Sequence, residues 1–152
     1  MALHFLSPIH KAIRQITLHL EEQMSGLPVT PQEAHLLTYL LAYAPCPMSE
    51  LARVFGLKRS TLTSMLDRLE GRSILVRSVN PDDRRSFMVE LSRGGKKLAR
   101  EVSGMVTELE RQIDRRVTPG DRRGFDAVMA AIAAVTEVEV RPQRPARKET
   151  MR

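Results

Sequence analysis

The chain has 152 residues, 42% of them hydrophobic and 28% charged, which is the composition of a globular protein with one core. A net charge of +6 at pH 7 and a pI near 10.1 favour an anionic partner such as nucleic acid. No stretch reaches the roughly 18 consecutive apolar residues of a membrane span, and the first residues lack a secretory pattern, so we expect a cytoplasmic protein without membrane contact.

The first half of the chain predicts four helices. Ser7, which precedes a proline, is interpreted as the cap of a first helix over about 8–25. The segment "TPQE" at 30–33 predicts a capping box at the start of a second helix. A short helix in "MSELARVFG" ends at Gly56, and a longer helix follows in "KRSTLTSMLDRLEGR". This order is typical of a helix-turn-helix.

The second half predicts a hairpin and two more helices. The β-branched and aromatic runs "ILVRSV" and "FMVEL" flank a turn-forming segment, which indicates two strands within 74–91. Ser92 then caps a long helix over about 93–117, and "TPGD" at 118–121 begins a last helix. The predicted fold is therefore mainly α: four helices, a hairpin and two helices, with a winged helix-turn-helix over about 31–92.

The charge is concentrated at the end of the chain. Residues 141–152 contain five basic residues and one acidic residue, a surplus of four out of the net +6. Because this segment has almost no apolar residue, we expect a basic disordered tail after a single domain at 1–140.

The second helix of the helix-turn-helix presents polar groups on its outward face. In a winged helix this helix can enter a major groove, while the hairpin lies along the backbone or the minor groove. Arg59 could bind guanine with two hydrogen bonds, and Lys58 at the helix start could attract a phosphate. The hydroxyl groups that could contact base edges or phosphates belong to Ser60, Thr61, Thr63 and Ser64. The alternative is that these side chains form an ordinary solvated surface.

The hairpin tip, "NPDDRRS", combines two acids with two arginines. Arg84 and Arg85 are adjacent, so on an extended strand they point to opposite sides, and only one of them can enter a narrow groove while the other meets phosphate. Asp83 is expected to pair with a nearby arginine and to hold it in one orientation. A solvated turn without function is the simpler alternative.

The run from "MSELARVFG" to "LSRGGKKL" resembles the MarR family of bacterial transcription regulators. The resemblance depends on the wing pattern Asp83-x-Arg85, an apolar strand, and then Leu91, Ser92 and Gly95. It implies a homodimer formed through the helices at 8–25 and 93–139, with Arg85 in the minor groove and Asp83 supporting it. The positions that match the recognition helix of the family are Lys58, Arg59, Ser60, Thr61, Thr63, Ser64 and Arg68.

Two positions depart from the family pattern. Lys58 stands where a capping serine or threonine is usual, and Ser73 stands where a glycine normally follows the recognition helix. Gly71 is an alternative end for that helix. These departures concern the helix ends and not the fold.

The resemblance also implies an effector site. Proteins of this family commonly bind a small aromatic or phenolic anion between the dimer helices and the DNA-binding lobe. The candidates to line such a site, by position, are His10, Arg14, His35, Tyr39 and Tyr43. The alternative is that they are ordinary core and surface residues.

Other site chemistry is not indicated. The single cysteine, Cys46, cannot form an internal disulfide and has no basic neighbour in sequence to stabilise a thiolate, so we expect an inert thiol. No metal or cofactor motif is present, nor any pattern of a nucleotide-binding loop or nucleophile elbow, which argues against an enzyme. The function predicted is a ligand-responsive repressor that binds double-stranded, pseudo-palindromic DNA as a homodimer; a winged helix used for protein contact remains the alternative.

Overall fold

Six helices and three short strands make up the computed structural model, which describes residues 2–136. In chain order they are α1 (Leu6–Gln23), α2 (Pro31–Tyr43), β1 (Cys46–Pro47), α3 (Met48–Phe55), α4 (Arg59–Gly71), β2 (Leu75–Val79), β3 (Phe87–Leu91), α5 (Arg93–Asp114) and α6 (Pro119–Thr136). None of the helices within 2–136 is long and apolar enough to cross a membrane. The predicted tail at 141–152 and the predicted helix end at 137–139 lie outside the described residues.

The predicted winged helix-turn-helix fold is confirmed, with one additional strand. The sheet has the order β1-β3-β2, and all of its pairings are antiparallel. In β1, Cys46 pairs with Val89 and Pro47 pairs with Met88. Cys46 is buried, and the inertness of its thiol stays a prediction.

The prediction that Ser7 caps the first helix is wrong. The helix begins at Leu6, its N-cap residue is Phe5, and no side chain caps it. Phe5 already has helical backbone angles, so Ser7 lies inside the first turn and cannot take the extended cap conformation. Pro8 is tolerated there because the N–H groups of the first turn have no partner within the helix.

The second helix begins where the capping box predicts. The Thr30 hydroxyl accepts a hydrogen bond from the Glu33 N–H at 3.2 Å, and the Thr30 N–H donates to Glu33 Oε2 at 3.0 Å. Both groups would otherwise lack a partner at the helix start. The position of α2 relative to the chain before it is therefore fixed locally.

A leucine-rich core joins α2, α3, α4 and the sheet. Its fully buried side chains include Leu36, Leu37, Leu40, Leu51, Leu62, Met65, Leu66, Leu69, Leu75 and Val89. Four of them, Leu62, Met65, Leu66 and Leu69, lie on α4 at the i, i+3, i+4, i+7 spacing of one helical face. Burial of that face fixes which side of α4 remains toward solvent.

The outer helices keep much of their apolar surface exposed. Neither α1 nor α6 has a buried residue. Large apolar side chains that remain exposed on α1, α5 and α6 include Ile13, Ile16, Leu18, Val106, Ile113, Phe125 and Val135. Stripes of this kind normally mark a surface that a partner covers.

Candidate nucleic-acid interface

The recognition helix α4 begins without a side-chain cap. Its N-cap residue is Lys58, which has an extended backbone and makes no capping hydrogen bond. The preceding helix α3 ends at Gly56, which has a φ of 61°, a left-handed conformation that glycine adopts without strain. The uncapped N–H groups and the lysine charge together favour an anion at this end of α4.

The outward face of α4 is exposed, as predicted. Lys58, Arg59, Ser60, Thr61, Ser64 and Arg68 are exposed, and Thr63 is half-buried. The Thr63 hydroxyl donates to the Arg59 carbonyl oxygen at 2.8 Å, so that its proton is already used within the helix. Thr63 can therefore only accept a further hydrogen bond, which is less than the sequence predicts.

Arg68 is tied to a buried carboxylate. Glu33, only 2% exposed, has Oε1 at 3.7 Å from Arg68 Nε and Oε2 at 3.5 Å from Arg72 Nη1. These contacts link α2 to the last turns of α4. The Arg68 side chain is still exposed to solvent. Arg68 therefore belongs to the outward face of α4 and also contacts the buried Glu33 of α2.

The wing tip is closed by hydrogen bonds of Asn80. Its backbone N–H donates to the Ser86 carbonyl oxygen at 3.0 Å, and its side-chain amide donates to the Ser86 hydroxyl at 3.1 Å. Its side-chain oxygen accepts from the Asp82 N–H at 3.0 Å. This local network fixes the loop that carries the two tip arginines.

Asp83 does not pair with an arginine side chain, contrary to the prediction. Its Oδ1 accepts from the backbone N–H of Arg85 at 3.0 Å, and among residues 2–136 it makes no ion pair. A short aspartate reaches the N–H two residues ahead with little loss of side-chain entropy, which favours this turn over a contact with a long arginine. Asp83 thus orients the backbone of Arg85, while Arg84 and Arg85 stay exposed, and their guanidinium groups have no partner within the described residues.

The arginine that is held by carboxylates is Arg77 in β2, which the sequence analysis missed. Its Nη2 lies 2.6 Å from Asp67 Oδ1 and 2.5 Å from Glu70 Oε2, and its Nε donates to Glu70 at 3.0 Å. The hydrogen bond to Glu70, followed by that to Asp67, raises the pKa of Arg77 against the effect of its burial. The guanidinium also lies 6.0 Å from the centre of the Phe87 ring.

The junction between the wing and α5 explains the Leu-Ser-x-x-Gly pattern. The Ser92 hydroxyl accepts from the Gly95 N–H at 2.9 Å and lies 2.6 Å from the Ser73 carbonyl oxygen and 3.0 Å from that of Ile74. A Cβ on Gly95 would lie 1.8 Å from the Ile74 oxygen. The helix α4 does end at Gly71, and Ser73 takes the left-handed conformation with a φ of 57°.

Three of the five candidate effector residues belong to one aromatic cluster. The ring centres of Tyr39 and Tyr43 are 4.6 Å apart, and Phe55 of α3 lies 4.9 Å from His35 and 5.5 Å from Tyr39. The Tyr39 hydroxyl donates to Glu50 Oε1 at 2.9 Å. Burial and the neighbouring Glu50 carboxylate raise the pKa of Tyr39 to about 12.

The other two candidates are not brought into this cluster. His10 and Arg14 lie on α1, where both are exposed. Within residues 2–136 neither side chain makes a hydrogen bond, an ion pair or a ring contact. Helical periodicity placed them on the first helix correctly, but it carried no information on how α1 meets α2.

This arrangement defines the class of winged helix-turn-helix proteins: a short helix, a turn, an exposed second helix and a hairpin packed beside it. Comparison with known proteins then gives the family. The MarR family model matches residues 29–87. The chain is 28% identical over 111 residues to the multiple antibiotic resistance protein MarR of Escherichia coli K12, covering 72% of this chain and 77% of that protein.

Further relatives agree. The chain is 34% identical over 74 residues to the transcriptional repressor MdtR of Bacillus subtilis, with about half of each chain covered (49% and 48%). Its structure matches that of Staphylococcus aureus MepR in a complex with DNA, with a TM-score of 0.80 at 16% identity, over 89% of this chain and 99% of that one. Residues 29–87 thus match the MarR family, and the chain is similar to the E. coli protein MarR over most of its length. Because MarR family proteins are transcription regulators, the prediction of a regulator rather than an enzyme is confirmed.

Proposed function

We propose that the chain is a ligand-responsive transcriptional repressor that binds a pseudo-palindromic DNA duplex as a homodimer. The observation that carries the proposal is a set of three exposed guanidinium groups, those of Arg59 on α4 and of Arg84 and Arg85 at the wing tip. None of them has a partner within the described residues. An arginine without a partner loses nothing inside the protein when it binds a base or a phosphate.

The recognition helix α4 and the wing are proposed to contact different parts of the DNA. On α4, Arg59 is proposed to read guanine, while Ser60, Thr61 and Ser64 contact base edges or phosphates and Thr63 accepts one hydrogen bond. Lys58 and Arg84 are proposed as phosphate contacts, and Arg68 as a contact at the far end of the helix. Arg85 would enter the minor groove, with Asp83 fixing its backbone.

A second copy of the chain is proposed to cover the exposed apolar stripes of α1, α5 and α6. In the single chain neither α1 nor α6 buries a residue, although both carry apolar side chains at helical spacing. A twofold dimer through these helices would bury the stripes and present two recognition helices about one DNA turn apart.

Binding to a chromosome agrees with the predicted cytoplasmic location. The relative MdtR is named a repressor, which supports repression as the direction of control.

The aromatic cluster supports the ligand response. His35 and Tyr39 on α2 face Phe55 on α3, the helix that precedes the recognition helix, and Tyr43 packs beside Tyr39. A small aromatic or phenolic anion that inserts among these rings would displace α3 and thereby α4. His10 and Arg14 of α1 stay in the proposal as the groups that would attract the negative charge.

Selection of bound duplexes from a random pool tests the proposal. We expect a pseudo-palindrome whose half-sites are separated by about 10 base pairs, the spacing of a twofold dimer on one face of DNA. Affinity should fall with salt, with a log-log slope of about −0.9 for each phosphate contact. In a second selection, Arg59→Ala should change the preferred bases more than Arg84→Ala does. No enriched duplex, or salt-insensitive association with a protein instead, would favour the protein-contact alternative.

A further inference from the structure

We infer that Arg77 is a positioning residue for DNA recognition: it holds the wing against the recognition helix so that both can meet one duplex. The inference rests on the proposed function. Arg77 itself is half-buried and is not offered as a DNA contact. Its effect would be exerted through Arg85 at the wing tip.

The geometry is that of a bridge between two elements. Asp67 and Glu70 are three residues apart on α4 and so lie on one side of that helix. A single guanidinium from β2 contacts both carboxylates, at 2.6 Å and 2.5 Å. The Arg77 side chain is only 18% exposed, whereas that of Asp67 is 57% exposed, so the bridge lies at the edge of the solvated face of α4. A planar group with fixed donors restrains orientation as well as distance.

Apart from Arg77, the outer half of the hairpin makes no hydrogen bond or ion pair to α4 within residues 2–136. Near its base, Leu75 and Leu91 pair with each other and are buried in the core. Four residues further along, the paired side chains of Val79 and Phe87 are 55% and 44% exposed. Within the described part of the chain, the hydrogen bonds of residues 78–87 all stay within the hairpin. Arg77, midway between these two pairs, is therefore where the apolar support ends and the ionic support begins.

The position of the bridge matters because the tip lies beyond it. Three to four strand residues at about 3.3 Å each place the tip roughly 10 Å from Arg77. Without the bridge, a tilt of about 10° would move Arg85 by roughly 2 Å, more than the roughly 0.5 Å tolerance of a productive contact. The Arg77 guanidinium also lies 6.0 Å from the centre of the Phe87 ring, so both strands of the hairpin contact the group that forms the bridge.

A purely electrostatic role for Arg77 makes the opposite prediction for its partners. If Arg77 merely neutralised Asp67 and Glu70 near the phosphates, removing both carboxylates would strengthen DNA binding. If Arg77 positions the wing, removing the carboxylates breaks the same bridge and weakens binding, although it makes the protein more positive by two charges. The two roles are thus distinguished by the sign of one measurement.

The experiment compares Arg77→Gln with the double substitution Asp67→Asn, Glu70→Gln on the selected duplex. We expect each to weaken specific binding by about tenfold, comparable with the loss of one specific contact. Arg100→Gln is the matched control, because it removes an exposed arginine from α5 that has no ion pair within the described residues. Its affinity should stay within about threefold of the unmodified chain, as for one screened surface charge.

Two further readouts separate positioning from a general loss of stability. In a double-mutant cycle, Arg85→Ala should cost much less affinity in the Arg77→Gln background than in the unmodified chain. Without DNA, NMR order parameters of residues 80–86 should fall in Arg77→Gln while those of α4 stay unchanged. Tighter binding by the carboxylate variant, additive losses in the cycle, or an unchanged wing would each overturn the inference. Failure of the unmodified chain to bind any duplex would instead refute the proposed function, and the order parameters would still test the bridge.

Discussion

Replacing Gly95 with alanine should destabilise the fold strongly, because this position lies against backbone. The new Cβ would lie 1.8 Å from the Ile74 carbonyl oxygen, whereas an ordinary contact needs about 3.5 Å. Relief requires α5 to move away from the 73–74 segment by more than about 1.5 Å. That movement breaks the two hydrogen bonds that the Ile74 oxygen receives from the Ser92 N–H and hydroxyl, both at 3.0 Å.

The magnitude follows from these two effects. Overpacking of a close contact costs about 1–3 kcal/mol, and each lost hydrogen bond about 1 kcal/mol. We therefore expect the free energy of unfolding to fall by about 3–5 kcal/mol, which corresponds to a Tm lower by about 10–15 °C in a chain of this length. Urea denaturation followed by circular dichroism measures the first quantity, and calorimetry measures the second.

The adjacent glycine provides the control. A Cβ on Gly94 would meet nothing closer than the Ser92 hydroxyl at 3.9 Å. Gly94→Ala should therefore leave stability unchanged or raise it by up to about 1 kcal/mol through helix propensity. If Gly95→Ala lost less than about 1 kcal/mol, the close approach of α5 to the base of the wing would be wrong as described.

Three other changes test separate parts of the structure. Arg85→Ala should weaken binding to the selected duplex by about tenfold with little change in Tm, and more than Arg84→Ala does; equal losses would contradict the assignment of Arg85 to the minor groove. Because the pKa of Tyr39 in the fold is about 12, above its ordinary value near 10, the neutral phenol is favoured in the native state, and stability should decline as pH rises from about 10 to 12. Tyr39→Phe should remove that part of the decline in the free energy of unfolding, measured with urea. It should also remove the absorbance step near pH 12, which comes from one of the two tyrosines of the chain. A step that persists in Tyr39→Phe would refute the raised pKa. Removing residues 141–152 should leave the fold and the dimer intact by calorimetry and light scattering, and loss of the dimer would refute the prediction of a dispensable tail.

Most of the helical framework could be predicted because local signals agreed with one another. The Thr30 capping box, Gly56 at the end of α3 and Ser92 at the start of α5 each satisfy backbone groups within a few residues, so the sequence alone specifies them. The inward face of α4 was equally clear from its periodicity. These features needed no knowledge of the tertiary structure.

Features that depend on a distant partner could not be found in this way. The strand β1 has only two residues, and it exists because Cys46 and Pro47 meet Val89 and Met88 more than forty residues later. The start of α1 was misplaced for a related reason: Phe5 has no capping side chain, so nothing local marked it. The position of His10 outside the aromatic cluster likewise depends on how α1 packs, and helical spacing does not encode that packing.

Arg77 and Arg85 both belong to the wing, but proximity in sequence does not indicate which of them is paired with a carboxylate. Asp83 adjoins Arg84 and Arg85 in the chain, which suggested an ion pair, but an aspartate in a turn is better placed to bind the backbone N–H two residues ahead. Arg77 has no acid within four residues in sequence, and its partners Glu70 and Asp67 lie seven and ten residues earlier, on α4. They face it because 75, 77 and 79 lie on one side of β2, the side that Leu75 anchors in the core beside α4. Strand register and not local charge therefore decides which arginine is paired and which is left exposed. The same bridge should form in other winged helices that have two features. One is an arginine two positions after the first buried residue of the first wing strand, and the other is a pair of acids at i and i+3 late in the recognition helix.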